Sequence, residues 1–298
     1  MKSMEEFYKN KNVLVTGGAG FIGSHLVEKL VELNANVTIL DNLATGQLKN
    51  LSSILPYINI IYGDITNHFT TIKASKNQNI IFHLAALTSV AESIQNPSLC
   101  KKINIEGTKN ILEGCKKNNV VTCIFSSSSA VYGNKNEQCK ESDSTNPLSP
   151  YAQSKLESEK LCQNYSKEYG INIACLRYFN VYGKNQNPNG EYAAVVAKFK
   201  HNLINKKPLM IFGDGKQTRD FIHVSKIVQA NLKIAMNKNL NSEIFNIASG
   251  KSINLFELIK NLEKETKTKN VNIIFKAARI GDIFYSAANC EKYKKLIK

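Results

Sequence analysis

A short apolar run, Asn12–Thr16 (NVLVT), leads directly into Gly17-Gly-Ala-Gly20-Phe-Ile-Gly23. Phe21, Ile22, Leu26, Val27, Leu30 and Leu33 then recur at helical spacing. No other stretch restricts the fold as tightly, because strand, glycine turn and helix in that order form a phosphate-binding unit. Gly17 permits the tight turn, Gly20 lets backbone approach a pyrophosphate, and Gly23 allows the helix to pack close to the strand. The helix start at Phe21 and Ile22 offers unpaired N–H groups and a positive dipole end to that phosphate.

The pattern then repeats. Residues 36–40 (NVTIL) read as a second strand ending at Asp41-Asn42, where a carboxylate can bond both hydroxyls of an adenosine ribose and repel a 2′-phosphate. No arginine lies nearby, so NAD is expected rather than NADP. A third strand, residues 58–62, ends at Gly63-Asp64-Ile65. A fourth, residues 80–84, ends after Leu84 at Ala85-Ala86, small residues against which a flat cofactor can lie. His83, inside that strand, reads as a buried, satisfied histidine rather than a base. Residues 97–118 read as one long helix carrying Asn104 and Gly107, and residues 120–125 as a fifth strand running into the serines of 126–129. A sixth strand, residues 171–179, carries Arg177 and Phe179 and leads to Asn180. Alternating strands and helices predict an α/β fold with a doubly wound parallel sheet, whose ligands sit beyond the carboxyl ends of the strands.

Ser149 suits a helix N-cap and Pro150 the first helical position, so Tyr151 and Lys155, four apart, share one face of a helix. A phenol has a reference pKa of about 10, and a neighbouring ammonium favours its phenolate. The pair can therefore transfer a proton, and Ser128, 23 residues before the tyrosine, lies at the same sheet edge.

The chain of 298 residues has room for a second unit. The polar loop 184–190 is the expected boundary, with a cofactor domain over 1–180, a return segment near 220–248, and a smaller C-terminal α/β substrate domain over 181–298. Helices over 191–205, from Ser225 and from Asn254, strands over 208–212, 244–248 and 271–275, and a short basic tail are expected there. The seven cysteines are scattered without C-x-x-C spacing, which points to reduced thiols and no metal site. Residues 1–11 are too polar for a signal peptide and no apolar run is long enough to span a bilayer, so a cytoplasmic protein without membrane contact is expected. The formal charge of +15 comes from lysines spread along the chain, which does not resemble a nucleic-acid footprint. Only three of 39 basic residues are arginine: Arg177, Arg219 and Arg279. Their planar forks suit paired phosphate oxygens better than lysine does.

In order, Thr16–Gly23, Asp64-Ile65, residues 83–86, residues 126–133, Tyr151–Lys155, residues 176–180 (LRYFN), residues 213–224 and Arg279-Ile-Gly-Asp282 resemble the motifs of extended short-chain dehydrogenases/reductases. Over roughly residues 11–289 the chain is more closely similar to nucleotide-sugar epimerases of the UDP-hexose 4-epimerase type. The resemblance implies a Rossmann domain with bound NAD. Tyr151 would exchange the proton of the sugar 4-hydroxyl, Lys155 would hold the nicotinamide ribose, and Ser128 would bond the reacting oxygen. Asp41, Asn42, Asp64, Ile65, Leu84, Ala85, Ala86 and Asn104 would line the dinucleotide, and Phe179 would flank the nicotinamide. Asn180, Arg219 and Arg279 would bind the UDP portion, leaving Arg177 structural. A homodimer through helices 97–118 and 151–169 is also implied.

Among such relatives, 4,6-dehydratases carry an Asp-Glu pair where this chain has Ser129-Ala130, and UDP-glucuronate decarboxylases carry a glutamate at Ala130. Epimerisation is therefore the activity implied. Ser286 stands where glucose- and galactose-limited relatives place a bulky tyrosine, and residues 187–199 resemble the branch that accepts N-acetylhexosamines. UDP-GlcNAc/UDP-GalNAc is the expected pair, with UDP-Glc/UDP-Gal as a second. UDP-glucuronate epimerisation or a non-catalytic dinucleotide sensor are the alternatives. Two departures are Ile280 in place of the usual proline and an end at Lys298, short of a final helix that many relatives carry.

Overall fold

The structure is a computed structural model and describes residues 3–188, 195–269, 271–277 and 284–297. Twelve strands are described: β1 Asn12–Thr16, β2 Asn36–Asp41, β3 Ile58–Tyr62, β4 Ile80–His83, β5 Thr122–Ser128, β6 Asn172–Tyr178, β7 Asn180–Tyr182, β8 Leu209–Phe212, β9 Thr218–His223, β10 Glu243–Ile247, β11 Ser252–Asn254 and β12 Ile273–Lys276. The helices are α1 Met4–Tyr8, α2 Phe21–Glu32, α3 His68–Ala74, α4 Val90–Gln95, α5 Pro97–Lys101, α6 Gly107–Lys117, α7 Pro150–Tyr169, α8 Val195–Ile204, α9 Val224–Ala235, α10 Leu255–Thr266 and α11 Glu291–Leu296.

Seven strands form one sheet in the order β10-β6-β5-β4-β1-β2-β3, parallel throughout. The chain runs outward from β1 to β3, then returns to place β4 on the other side of β1. That reversal opens a crevice at the carboxyl ends of β1 and β4. Period-two alternation sends neighbouring side chains to opposite faces, and both faces are covered. Val13 and Val15 pack with Leu26, Val27 and Leu30 of α2 and Ile227 and Val228 of α9. Leu14, Ile81, Cys123 and Cys175 pack on the other face with Ile111 and Leu112 of α6 and Cys162 of α7. Each such fully buried aliphatic side chain is worth about 1.5–3 kcal/mol relative to exposure.

Several expectations need correcting. The long helix of 97–118 is broken by a π turn at Lys102–Glu106, between α5 and α6, and Asn104 lies in that turn. The serines at 126–128 belong to β5 rather than to the loop after it. The basic tail contains α11, which packs against β10. Residues 4–8, which sequence marks only as a polar N-terminus, form α1, because Ser3 caps them and Tyr8 is buried with its hydroxyl donated to the Leu232 carbonyl. Three short strands carry no periodic signal of their own: β7, β9 and β11 form a small sheet in the order β11-β9-β7.

After β7 the chain alternates between two neighbourhoods. α8, α10, β8 and β12 share a separate apolar cluster around Phe199, Leu209, Ile211 and Leu258. Meanwhile α9 packs on α2, and β10 joins the edge of the large sheet beside β6.

Candidate active site

A cleft of about 1050 Å³ runs along the carboxyl ends of the central strands. Its floor is the glycine turn. Gly17 sits at φ +69°, and a Cβ there would lie 2.9 Å from the Ala85 nitrogen. A Cβ on Gly23 would lie 2.1 Å from the Gly17 carbonyl oxygen, so only glycine lets α2 start this close to β1. Gly20 is the N-cap of α2 and no side chain caps the helix. Gly20, Phe21, Ile22 and Gly23 all line the cleft, so the uncapped N–H end opens onto it.

At one end of the cleft stand Asp41, Asn42, Asp64 and Ile65. Asp41 is buried, and its carboxylate accepts from the backbone N–H groups of Ala19 at 2.9 Å and Leu43 at 2.8 Å. Asn42 donates to Asp64 at 2.8 Å. Burial would raise the Asp64 carboxyl, but hydrogen bonds from Thr66 and Asn42 and the Lys102 charge outweigh it and hold the pKa below its ordinary value. Leu84, Ala85 and Ala86 form the wall opposite.

That wall is fixed from behind. Thr16 Oγ1 accepts from the backbone N–H of Leu84 and of Ala85, each at 3.2 Å, and therefore donates its own proton to His83 Nδ1 at 2.7 Å. His83 Nε2 then carries the hydrogen, facing Thr108 Oγ1 at 3.0 Å, which donates to the Asn104 carbonyl. Burial, aided by the Lys155 charge, pushes the His83 pKa down to about 3, so the ring is neutral; that it is buried and satisfied agrees with the sequence reading. Asn104 does not line the cleft. Its amide grips both backbone groups of Leu87, at 2.8 and 3.0 Å, and donates to Ser154 Oγ on α7 at 2.9 Å. Any influence on a dinucleotide would pass through the 84–87 loop.

Ser128 ends β5, and its hydroxyl accepts from the Ala130 N–H at 3.2 Å. Tyr151 and Lys155 lie one turn apart on α7, which Ser149 caps by accepting from the Ala152 N–H and Pro150 begins. All three line the cleft. Lys155 is 4% exposed, and its ammonium donates to the Ser126 carbonyl at 2.8 Å. It lies 5.0 Å from the Phe125 ring centroid and 6.0 Å from that of Tyr151. Burial lowers its pKa to about 8, against the opposing pull of Cys100, Cys162 and Glu159. Burial raises the Tyr151 phenol, partly offset by its hydrogen bond with Ser128. Ser128 thus favours the phenolate directly, while desolvation dominates both ionisable groups.

Phe179, buried against Tyr132, and Asn180, whose amide donates to the Asp220 carbonyl at 3.1 Å, also line the cleft. Arg219 lies on β9 and donates to the Thr218 carbonyl at 2.9 Å. Ser286 pairs its backbone N–H with the same carbonyl at 3.1 Å, beside that strand. Neither is part of the described cleft lining. Arg279 lies outside the described residues, as do residues 189–194 of the stretch 187–199. Arg177 is structural: it forms a two-pronged ion pair with Glu159. Among the lining segments that the sequence reading missed are 44–50 after β2 and 185–188 after β7. The second is tied to α2 by His25 Nε2 against the Lys184 carbonyl at 2.9 Å and by Asn185 donating to Ser24 at 3.1 Å. Their polar composition gave no periodic signal.

These features fit a dinucleotide: a turn with no room for a Cβ at Gly17 or Gly23, an uncapped helix end, carboxylates at one end of the cleft and an apolar wall beside a tyrosine and a lysine. Among the described residues no group of three or more His, Cys, Asp or Glu could hold a metal ion. Among the same residues, no helix is long and apolar enough to cross a membrane.

Comparison with known proteins agrees. The model of the NAD dependent epimerase/dehydratase family matches residues 13–248. A putative UDP-glucose 4-epimerase from Methanocaldococcus jannaschii is 40% identical over 287 residues, covering 95% of this chain and 92% of that protein. Among solved structures, a UDP-N-acetylglucosamine 4-epimerase from Methanobrevibacter ruminantium, in complex with UDP-N-acetylmuramic acid, superposes with a TM-score of 0.92 at 39% identity, covering 97% and 92% of the two chains. A UDP-glucose 4-epimerase from Thermotoga maritima, with UDP-glucose, gives 0.89 at 35% identity over 95% and 91%.

Proposed function

The chain belongs to the NAD dependent epimerase/dehydratase family, and from that footing we propose that it inverts C4 of a UDP-hexose, with UDP-GlcNAc and UDP-GalNAc as its main pair. The observation that carries this reading is the meeting of Ser128, Tyr151 and Lys155 with the glycine turn in one cleft. NAD would be held by the turn, Asp41, Asp64 and the Leu84–Ala86 wall, where it would supply a reversible hydride acceptor.

The protein's own groups manage the proton and the geometry. Tyr151 Oη takes the proton of the 4-hydroxyl while C4 gives up a hydride, which leaves a 4-keto sugar. It returns the proton once a hydride is restored to the opposite face of C4, so the cycle as a whole loses no atoms. Ser128, at the end of β5, bonds the reacting oxygen and steadies the phenolate. Lys155, fixed to the Ser126 carbonyl, keeps a positive charge beside both. Asn180 and Arg219, with Arg279, hold the UDP end, and the sugar turns about that anchor to present its opposite face.

Elimination of water or loss of a carboxylate would need an acid beside Ser128, and Ser129 and Ala130 occupy those positions. Among the described residues, the carboxylates lining the cleft are Asp41 and Asp64 at one end and Glu92, exposed on α4. The preference for N-acetylated sugars rests on the small Ser286 and on the likeness to a UDP-N-acetylglucosamine 4-epimerase. We place the cofactor site in residues 1–180 with the return segment 220–248, and the sugar site in residues 181–298. The homodimer would form through α5–α6 and α7, which sedimentation at micromolar concentration tests.

The deciding experiment is proton NMR of the anomeric region after purified protein, without added NAD, meets UDP-GlcNAc. Appearance of UDP-GalNAc is the expected result. Conversion of UDP-Glc to UDP-Gal alone would keep the chemistry and reject the N-acetyl preference. Inertness toward both sugars with NAD supplied would reject the proposal.

A further inference from the structure

Behind the reacting groups lies a buried ionic cluster that the mechanism above does not use. Glu159 continues the stripe of α7 that carries Tyr151 and Lys155, four residues beyond the lysine. It is 1% exposed and Arg177 2% exposed. Glu159 Oε1 accepts from Ser127 Oγ at 2.5 Å and from Arg177 Nε at 2.9 Å, while Oε2 accepts from Arg177 Nη2 at 2.7 Å. Ser127 of β5 and Arg177 of β6 are register partners in the sheet. One carboxylate on the helix therefore grips two adjacent strands at the same level, and the next residue of β5 is Ser128. The guanidinium also lies 4.6 Å from the Tyr132 ring centroid, and the Tyr132 hydroxyl donates to Asn246 at 2.7 Å.

Stability alone does not account for such a cluster. A buried ion pair is often no more stabilising than apolar side chains of similar volume, because desolvation of both charges offsets their attraction. What it supplies is a fixed distance and orientation between the elements it joins. Here those elements are α7, with Tyr151 and Lys155, and β5, with Ser128. Lys155 makes a parallel tie one turn earlier, to the Ser126 carbonyl. Two ties in succession fix both the height and the rotation of the helix against the strand.

We propose that Glu159, clamped by Arg177 and Ser127, is the positioning residue that sets Ser128 against Tyr151 and Lys155 for proton transfer. This rests on the reading that those three are the reacting groups. The clamp also gives Lys155 a fixed negative neighbour. The ionisable groups around Lys155 are Cys100 on α5, Cys162 and Glu159 on its own helix, the Tyr151 phenol one turn earlier and His83 on β4. The cysteines are buried thiols and His83 is neutral, so Glu159 is the full charge among them.

The test compares Ser127→Ala, Glu159→Gln and Glu159→Asp in kcat, KM, pH profile, bound NAD and melting temperature. Ser127→Ala leaves the ion pair intact but frees the strand. Its kcat is expected to fall about tenfold to a hundredfold, as for a displacement near 1 Å, with KM and NAD content unchanged. Glu159→Gln should show the same loss and, in addition, a basic limb moved to lower pH, because Lys155 loses the charge that favours its protonated form. Glu159→Asp should lower kcat without moving that limb. A lowered melting temperature with normal kcat and KM in the folded fraction would reduce the cluster to structural glue and overturn the proposal. If Glu159→Gln does not fold, Ser127→Ala decides. If the unmodified protein epimerises no UDP-hexose, the function reading has failed separately. Crystal structures of the unmodified and Ser127→Ala proteins then decide, since an unmoved Ser128 Oγ overturns the clamp.

Discussion

Lys155 donates its ammonium to the Ser126 carbonyl at 2.8 Å, which fastens the lysine of the proposed proton-transfer group to the strand that ends in Ser128. The bond orients the ammonium but does not offset its burial, and its pKa falls to about 8. A base-side loss of activity follows from the sign of that shift. Below about 8 the lysine is charged and can support the tyrosine; above it the charge is lost. We expect kcat to decline through a basic limb near that value, well under the 10.5 of an ordinary lysine. Initial rates of UDP-hexose epimerisation across the pH range check this, and a profile flat to strongly alkaline pH would contradict it.

Tyr151→Phe removes one oxygen from a part-buried ring and leaves α7 and its cap unchanged. The expected outcome is a fall in kcat of about a hundredfold to ten-thousandfold, the range for a positioned acid–base group, with melting temperature and NAD content retained. Ser128→Ala should cost about a hundredfold, as for one donor to a reacting oxygen. Undiminished activity in the Tyr151→Phe protein would require a different proton acceptor in the cleft.

Gly23→Ala tests the cradle. Its new Cβ would lie 2.1 Å from the Gly17 carbonyl oxygen, a backbone atom that cannot swing aside. We expect a stability loss of about 3 kcal/mol, together with loss of co-purifying NAD. Thermal denaturation and absorbance of the released cofactor give the two readouts. Gly170→Ala is a contrasting control for crowding, since nothing lies within 4 Å of a Cβ there and only its left-handed backbone, at φ +68°, is strained.

His83 gives an acid-side dependence of stability. Its folded pKa, about 3, lies below the ordinary 6.5, so the unfolded chain binds the proton more readily. The contribution is therefore present above 6.5 and is lost as pH falls toward the folded value. Between about pH 7 and about pH 5 this one residue should account for roughly 2 kcal/mol of lost stability. Denaturant titrations of the natural and His83→Gln proteins check it: the difference in slope with pH, rather than the absolute stability, carries the histidine's share.

Much of the site is legible without coordinates. The glycine turn, Asp41, Asp64, Ala85-Ala86, Tyr151 and Lys155 stand out through local spacing and Ser128 through the family resemblance, and all line one cleft. Asn104 is legible as a residue and not as a geometry. On a regular helix it would simply face one side, but the π turn at 102–106 and the demands of Leu87 and Ser154 turn its amide to the protein interior. Segment 185–188 reads in sequence as part of the polar loop 184–190 that marks the expected domain boundary. In the structure it also lines the cleft, because His25 and Ser24 of α2 hold Lys184 and Asn185 from 159 and 161 residues away.

By itself the sequence determined the parallel α/β order, the phosphate-binding turn and the tyrosine–lysine face, since each depends on residues within a few positions of one another. Periodicity, caps and glycine placement act over that range. Tertiary structure alone decided the neutral tautomer of His83, the inward turn of Asn104 and the clamp of Glu159 on Ser127 and Arg177, whose partners stand 32 and 18 residues apart. Such groups are set by what the packed neighbours leave unsatisfied. A buried donor or acceptor must find a partner wherever the fold brings one, and no spacing in the chain records which one that is.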